Sequence, residues 1–359
     1  MKESLRIYNY PKPITSRKIR FGIIGCGRIS KNHINAILDM GECSEIVAVC
    51  DIDENKLKIA QQLTSARGFS DLSSMLKESK IDICVLCTPS GLHASQTKEI
   101  ANLGISIITE KPMATKLEDA KDMVKICDLN KVRLFVVKQN RFNPTLTLLK
   151  KALDKNRFGK IYTVNMNVFW TRPQSYYDQG GWRGCWEFDG GAFMNQASHY
   201  VDLLRWLIGP VESIFSFTST LSRNIEAEDT GVVSLKWRNG TLGSMNVTML
   251  TYPKNLEGSI TILGENGSVK LGGVALNEIL HWDFTDSDPD DNEIKNANYE
   301  TSSIYGFGHP LYYKNVIDVM KGIDIPLVDG REGLKSLEVI IGIYLSSRDG
   351  KKVSLPLDL

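Results

Sequence analysis

Glu110-Lys111-Pro112 directly follows the apolar run 105–109, at a point where a strand would end. A buried lysine there, next to a cationic nicotinamide, has its charged form disfavoured and can act as a base or proton donor when a secondary alcohol is oxidised. His199 is the second candidate, in the stretch that begins Asp189-Gly190-Gly191. If that stretch is helical after the glycines, Asn195, His199 and Asp202 fall on one face at i, i+4 and i+7. Histidine titrates near neutrality and can relay a proton. Asp202 either orients the imidazole or pairs with a neighbouring base. Taken singly, Lys111 also reads as a solvated loop lysine and His199 as a packed histidine.

A partner for such chemistry is written near the start of the chain. Gly25-Cys26-Gly27-Arg28-Ile29-Ser30 follows the apolar run 19–24, and Asp51 closes the run 45–50. Two glycines permit a tight turn and close backbone approach to a pyrophosphate, and the next helix offers its N–H groups. A carboxylate at the spacing of Asp51 binds adenine-ribose hydroxyls and repels a 2′-phosphate. Residues 52–55 bring no basic group, so the expected cofactor is NAD. The third small position is Ser30, a departure from glycine or alanine. The glycine-rich, aromatic run 176–186 suits a loop over a polar ligand, where Trp182 and Arg183 can meet a cofactor or phosphate; packed aromatics in a structural loop fit equally.

The elements that must hold these groups follow a clear rhythm. Apolar runs at 19–24, 45–50, 81–87, 105–109 and 132–137 alternate with helical segments such as 55–63, and Thr115 with Glu118 reads as a capping box. Alternating strands and helices predict a doubly wound parallel sheet, with ligands at its carboxyl edge. Beyond residue 138 the pattern changes. Asn143-Pro144 opens a helix to about 153. Tyr162, Val164, Met166, Val168 and Trp170 then alternate on one face of a strand, and further strands follow at 211–220, 230–237, 241–248, 259–263 and 268–271. Asn239-Gly240 marks a hairpin. The expected fold class is α/β, with a Rossmann unit followed by an α+β unit built on a large, open, mostly antiparallel sheet. The expected divisions are an arm at 1–18, an NAD-binding domain at 19–138 and a substrate and oligomerisation domain at 139–359.

The chain has 359 residues, and 43 basic against 42 acidic residues leave a net charge of +1. That balance gives no reason to expect nucleic acid or an anionic membrane as partner. The first 18 residues lack the apolar core of a signal peptide, and no apolar stretch approaches a membrane span, so a soluble, cytoplasmic protein is expected. Seven cysteines are scattered, and Cys84 and Cys87, three apart on a strand, point to opposite faces and read as reduced thiols. The acidic run 283–293 lacks the spacing of a calcium loop and reads as a solvated surface loop, and no metal site is expected.

These pieces resemble the Gfo/Idh/MocA oxidoreductase family. The likeness rests on residues 25–30, Cys87-Thr88-Pro89-Ser90-Gly91-Leu92-His93, Glu110-Lys111-Pro112, Asn140-Arg141-Phe142-Asn143-Pro144 and the stretch from Gly190 to His199. It implies that Lys111 and His199 are the catalytic pair and that Pro112 is a candidate for a cis bond. It further implies that Gly25, Gly27, Arg28, Ile29, Asp51, Thr88, Pro89, His93, Glu110, Lys111, Gln139, Trp182 and Arg183 border the cofactor. Many members carry an aspartate where this chain has Asn195. Within the family, Val137–Asn143, Trp170–Asp178, Asn195–Tyr200, Glu226–Thr230, Pro253–Ile260 and Tyr305–His309 are similar to the UDP-N-acetylglucosaminuronate 3-dehydrogenase (WlbA/WbpB-type) branch.

That resemblance implies oxidation of the sugar at C3 by NAD, with Lys111, Arg172, Tyr177, Asn195 and His199 at the substrate; Arg172 and Arg183 are candidates for its carboxylate and diphosphate. It also implies 2-oxoglutarate as a candidate for NADH recycling, a downstream aminotransferase, a role in polysaccharide or O-antigen sugar biosynthesis, and a homo-oligomer, dimer or tetramer. The alternatives are a dehydrogenase of another sugar or inositol, and an NAD-dependent glycosidase of the same fold.

Overall fold

The computed structural model describes residues 10–301 and 306–358. The start of the expected arm, 1–9, and Tyr305 of the 305–309 stretch lie outside the described residues. The chain runs through β1 (Ile19–Ile24), α1 (Ser30–Leu38), β2 (Ser44–Cys50), α2 (Glu54–Thr64), β3 (Arg67–Phe69) and α3 (Leu72–Glu78). It continues through β4 (Ile83–Leu86), α4 (His93–Ala101), β5 (Ser106–Thr109), α5 (Leu117–Leu129) and β6 (Leu134–Val136). Then come α6 (Pro144–Asp154), β7 (Ile161–Phe169), α7 (Gln174–Tyr177), α8 (Ser198–Ile208), β8 (Val211–Ser219), β9 (Thr230–Trp237) and β10 (Leu242–Thr248). The last elements are β11 (Glu257–Gly264), β12 (Gly267–Gly272), β13 (Glu278–Phe284), α9 (Ile294–Ala297), α10 (Gly308–Met320), α11 (Gly330–Asp349) and β14 (Val353–Ser354). They form two compact units. One holds the chain up to Val137 together with His309–Leu334, and the other holds Lys138–Gly308 and Lys335–Leu359.

The first unit is a six-stranded, all-parallel sheet in the order β3-β2-β1-β4-β5-β6. Every residue of β4 and β5 is buried, as strands covered on both faces must be. The strand order reverses between β1 and β4, which puts the ligand crevice of such a sheet at their carboxyl ends. Asp53 caps α2 by accepting the Asn55 and Lys56 N–H groups. The helix expected from Thr115 begins at Leu117, with Lys116 in the cap position. The segment 309–334 packs against the sheet: the Val136 N–H donates to the Val328 carbonyl at 3.4 Å, and Tyr313 meets Phe21 edge-on at 5.9 Å. Cys84 is buried in β4, Cys87 is half-buried just beyond it, and all seven cysteines are free thiols.

The second unit is an eight-stranded sheet in the order β13-β12-β11-β7-β10-β9-β8-β14, in which only β7 and β10 run parallel. Val164, Met166, Val168 and Trp170 turn inward, as their alternation predicts, while Tyr162 at the strand's start is half exposed. The opposite face is polar: the Asn165 amide donates to Ser244 at 2.7 Å and the Asn246 amide to Asn167 at 2.9 Å. Asn143 and Pro144 open α6 as expected. The acidic run departs from expectation. Its first residues end β13, and the rest is pinned by cations. Arg157, itself buried, donates to Asp291 at 2.6 and 3.0 Å, and Lys155 donates to Asp288 and Asp290 at 2.7 and 2.8 Å. A charge run reads as solvated only while its partners, over a hundred residues away, go unseen. Among the described residues, no helix is long and apolar enough to cross a membrane.

Candidate active site

In the first unit the expected turn forms between β1 and α1. Gly25 has φ +86°, and a Cβ there would lie 2.8 Å from the Cys87 carbonyl group, so only glycine fits. The Cys26 N–H donates to Asp51 at 2.6 Å and the Asp53 N–H to its other oxygen at 2.8 Å. Asp51 thus sits against the glycine turn with lone pairs left over for hydroxyl donors. Ser30 is buried and its hydroxyl donates to the Gly27 carbonyl at 2.6 Å, which accounts for its standing where a smaller residue is usual. No side chain caps α1, so its leading N–H groups face the turn, with Ile29 half-buried and Arg28 exposed. A turn this tight, an uncapped helix and an acidic ribose position fit a dinucleotide pyrophosphate.

The loops after β4 and β5 carry the next group of expected residues. Thr88 donates to Gln96 at 2.6 Å, and Pro89 leads into a short 3₁₀ turn. His93 is fully buried, its ring nitrogens 3.0 Å from the Thr88 carbonyl and 3.1 Å from the Pro112 carbonyl. It ties the two loops together, and burial lowers its pKa. Lys111 is half-buried and the Lys111–Pro112 peptide is cis. Glu110 is buried; burial pushes its carboxyl up, but the hydrogen bond and charge of His33 and the charge of Lys111 hold it at about 2.

His33 is a residue that the sequence reading passed over. Its Nε2 lies 2.9 Å from Glu110 Oε1 and its Nδ1 lies 2.8 Å from the Tyr313 hydroxyl, while Glu110 Oε2 accepts the Lys111 N–H at 2.9 Å. An ionised Glu110 places a proton on Nε2, and Nδ1 faces the Tyr313 hydroxyl, accepting from it when the imidazole is neutral and donating to it when the imidazole is charged. The signal was a histidine on the same helical stripe as the buried Ser30, Ile34 and Ile37. His309 joins edge-on to His33 at 5.4 Å, and the ligating atoms of His33, Glu110 and His309 lie within 4.8 Å of one another. Both nitrogens of His33 are already engaged, so we read this cluster as a hydrogen-bond network that anchors the backbone of Lys111.

In the second unit, Gln139 is buried in a 3₁₀ turn and its amide lies 3.2 Å from His199 Nε2, in the first turn of α8. The single helix expected through Asn195, His199 and Asp202 does not form. Residues Ala192–Gln196 make a π-helical turn in which the Ala197 N–H reaches back to the Ala192 carbonyl at 2.8 Å, and α8 starts only at Ser198. Asn195 therefore leaves the His199 face. Its amide donates to Asp189, and its oxygen accepts from Gln196 at 3.3 Å. Asp202 takes the second of its two expected roles. It pairs with Arg141 through bonds of 2.8 and 2.7 Å and accepts from Ser336 at 2.6 Å.

Arg172 donates to Gln196 at 2.9 Å, and its guanidinium stands 5.6 Å from the Tyr176 ring centroid. Arg183 stacks on the same ring at 4.7 Å and on Trp182 at 4.8 Å. Tyr177 is buried beside them, which raises its hydroxyl pKa. The structure thus gathers Arg172, Arg183, Trp182 and Tyr177 around Tyr176, and links them through Gln196 to Asn195. Two guanidiniums flanking one ring form a cationic, stacked surface suited to an anionic, planar ligand.

Comparisons with known proteins bear on the family and the fold. Residues 19–138 match the NAD-binding Rossmann fold of an oxidoreductase family, and residues 150–355 match that family's C-terminal alpha/beta domain. The WlbA dehydrogenase from Bordetella pertussis, solved with NADH and UDP-GlcNAcA, is 62% identical with a TM-score of 0.94, over 96% of this chain and 100% of that one. The WlbA dehydrogenase from Chromobacterium violaceum, solved with the same two ligands, is 63% identical with a TM-score of 0.93, over 97% and 99%. D-apiose dehydrogenase from Paraburkholderia graminis is 27% identical over 95% of this chain and 91% of its own. With both halves matched and identity above 60% along almost the whole length, the chain belongs to the Gfo/Idh/MocA oxidoreductase family.

Proposed function

We propose that this protein is an NAD-dependent dehydrogenase that oxidises C3 of UDP-N-acetylglucosaminuronate to the 3-keto sugar nucleotide. The observation that carries the reading is the 62–63% identity, over nearly the full chain, to WlbA dehydrogenases solved with NADH and UDP-GlcNAcA. The Gly25 turn, the uncapped α1 and Asp51 would hold NAD, which when bound supplies the hydride acceptor. The remaining work falls to the chain. Lys111 Nζ takes the hydroxyl proton, with its backbone fixed by Glu110 and His33. His199, its ring held by Gln139, is the second acid–base group. Asn195 meets a sugar hydroxyl, and Arg172 and Arg183 bind the carboxylate and diphosphate. A 3-keto sugar nucleotide suits a downstream aminotransferase, and 2-oxoglutarate is the candidate that reoxidises NADH.

The test is NADH absorbance with NAD⁺ and UDP-N-acetylglucosaminuronate, with and without 2-oxoglutarate. Wild type forms NADH and keto sugar. Lys111→Ala and His199→Ala slow this by about 10²–10⁴-fold, the usual worth of a positioned acid or base. Absence of NADH and keto sugar even in a single turnover refutes the reading, and turnover of free sugars under the same conditions redirects it.

A further inference from the structure

Glu228 lies in the loop before β9, outside every role assigned above, yet the residue is 3% exposed and its side chain reaches the turn that precedes His199. Its carbonyl accepts the Ala192 N–H at 2.9 Å. Its Oε1 accepts the Phe193 N–H at 2.8 Å and the Tyr344 hydroxyl at 3.0 Å, and that hydroxyl in turn accepts the Met194 N–H at 3.0 Å. Three successive N–H groups at the start of the π-helical turn are thus met by one residue and its relay through α11. Gly191 lacks a side chain where it must, since a Cβ there would collide with the Glu228 carboxyl group and carbonyl oxygen. A wide turn leaves its leading donors without partners inside the turn, and buried donors require partners. This set of partners keeps Ala192–Gln196 in place, and α8 with His199 follows directly.

We propose that Glu228 is a positioning residue that fixes the Gly191–Gln196 turn and, through it, Asn195 and His199. The inference rests on the reading of those two residues as substrate-facing. Glu228 acts through the turn and touches neither substrate nor cofactor. Its Oε2 meets no hydrogen-bond partner among the described residues. A proton there would weaken the acceptor and add a donor with nowhere to go, so the ionised form holds the turn best. Burial pushes the carboxyl up to about 7, partly offset by the Phe193 and Tyr344 bonds. The titratable groups acting on it are Asp229, next in the chain, and Tyr344 from α11; the turn meets it through main-chain N–H groups.

The experiment pairs amide hydrogen exchange over 191–197 with the pH profile of kcat in the NADH assay. Glu228→Ala should lose protection in that segment and about 10²-fold in kcat, the scale of a misplaced catalytic group. Glu228→Gln meets the same donors without an ionisation. Like the protonated carboxyl, it carries a donor that meets no acceptor, so it should show the acid-limb protection and kcat of wild type at every pH and lose the wild-type fall in kcat as pH drops below about 7. Wild-type protection and kcat in Glu228→Ala, or a Glu228→Gln profile that superimposes on wild type, overturns the proposal. Should Glu228→Ala fail to fold, Glu228→Gln and Tyr344→Phe carry the test, the latter losing protection at Met194. A wild type that turns over no UDP-sugar sinks the functional reading instead, and hydrogen exchange still reads the turn on its own.

Discussion

Removing the carboxylate of Asp202 should be among the most damaging single truncations in the second unit. The side chains of Arg141 and Asp202 are 5% and 2% exposed, and three hydrogen bonds of 2.6–2.8 Å converge on the carboxylate. Asp202→Ala strips a buried guanidinium of its counter-charge and Ser336 of its acceptor, at a cost of about 3–5 kcal/mol. For a unit of this size that lowers Tm by about 10 °C. Urea unfolding followed by tryptophan fluorescence measures it, and Trp206, whose ring lies 5.5 Å from the Arg141 guanidinium, is a local reporter.

The sign with pH follows from the pair. Burial pushes the Asp202 carboxyl up, but Arg141 and Lys138 hold it well below the usual range. Its stabilisation is therefore full above the ordinary value near 4 and is lost as pH falls further, so the deficit of the variant should shrink in acid. Arg141→Met combined with Asp202→Leu should recover most of the loss, because apolar replacement of both partners leaves no stranded charge. A deficit under about 1 kcal/mol at neutral pH, or a double variant as poor as the single, refutes the reasoning. A shifted pH profile of turnover in Asp202→Asn without loss of stability would instead return Asp202 to the role of orienting His199.

Two further predictions concern the first unit. Gly25→Ala forces a side chain into a positive-φ turn against the Cys87 carbonyl, so it should cost about 1–3 kcal/mol and abolish NAD binding in a fluorescence titration; an unchanged Kd contradicts the reading of that turn. Glu110 ionises at about 2 in the folded protein against an ordinary 4.5, so its stabilisation, up to about 3 kcal/mol, is complete above pH 4.5 and lost as pH falls towards 2. Glu110→Gln should therefore be less stable than wild type at neutral pH and converge with it in acid unfolding curves; parallel curves reject this.

What the sequence made legible was whatever depends on short spacing. The apolar runs at 19–24, 45–50 and 105–109 became strands most of whose residues are buried, and the Gly25 turn with Asp51 sits as its spacing required. β3 escaped notice because only Phe69 of its three residues is buried, too little for any period to show. Asn195 was misplaced for a deeper reason. The π-helical turn is imposed by Glu228 and Tyr344, 35 and 150 residues from their main-chain partners, and no local pattern records such contacts. His33 and Glu110, 77 residues apart, were invisible as a pair for the same reason, although each stood in a legible element.

The chain leaves its first unit at Val137 and supplies the rest of it only with His309–Leu334. During synthesis, the six strands of the parallel sheet emerge long before Tyr313, which packs on Phe21, and Val328, which bonds to Val136. At about 5–20 residues per second the delay is about 10–40 s. Through that interval Phe21 and the outer edge of β6 lack their final cover. The nucleotide-binding half of the protein, though first in sequence, cannot be completed until nearly the whole polypeptide has been made.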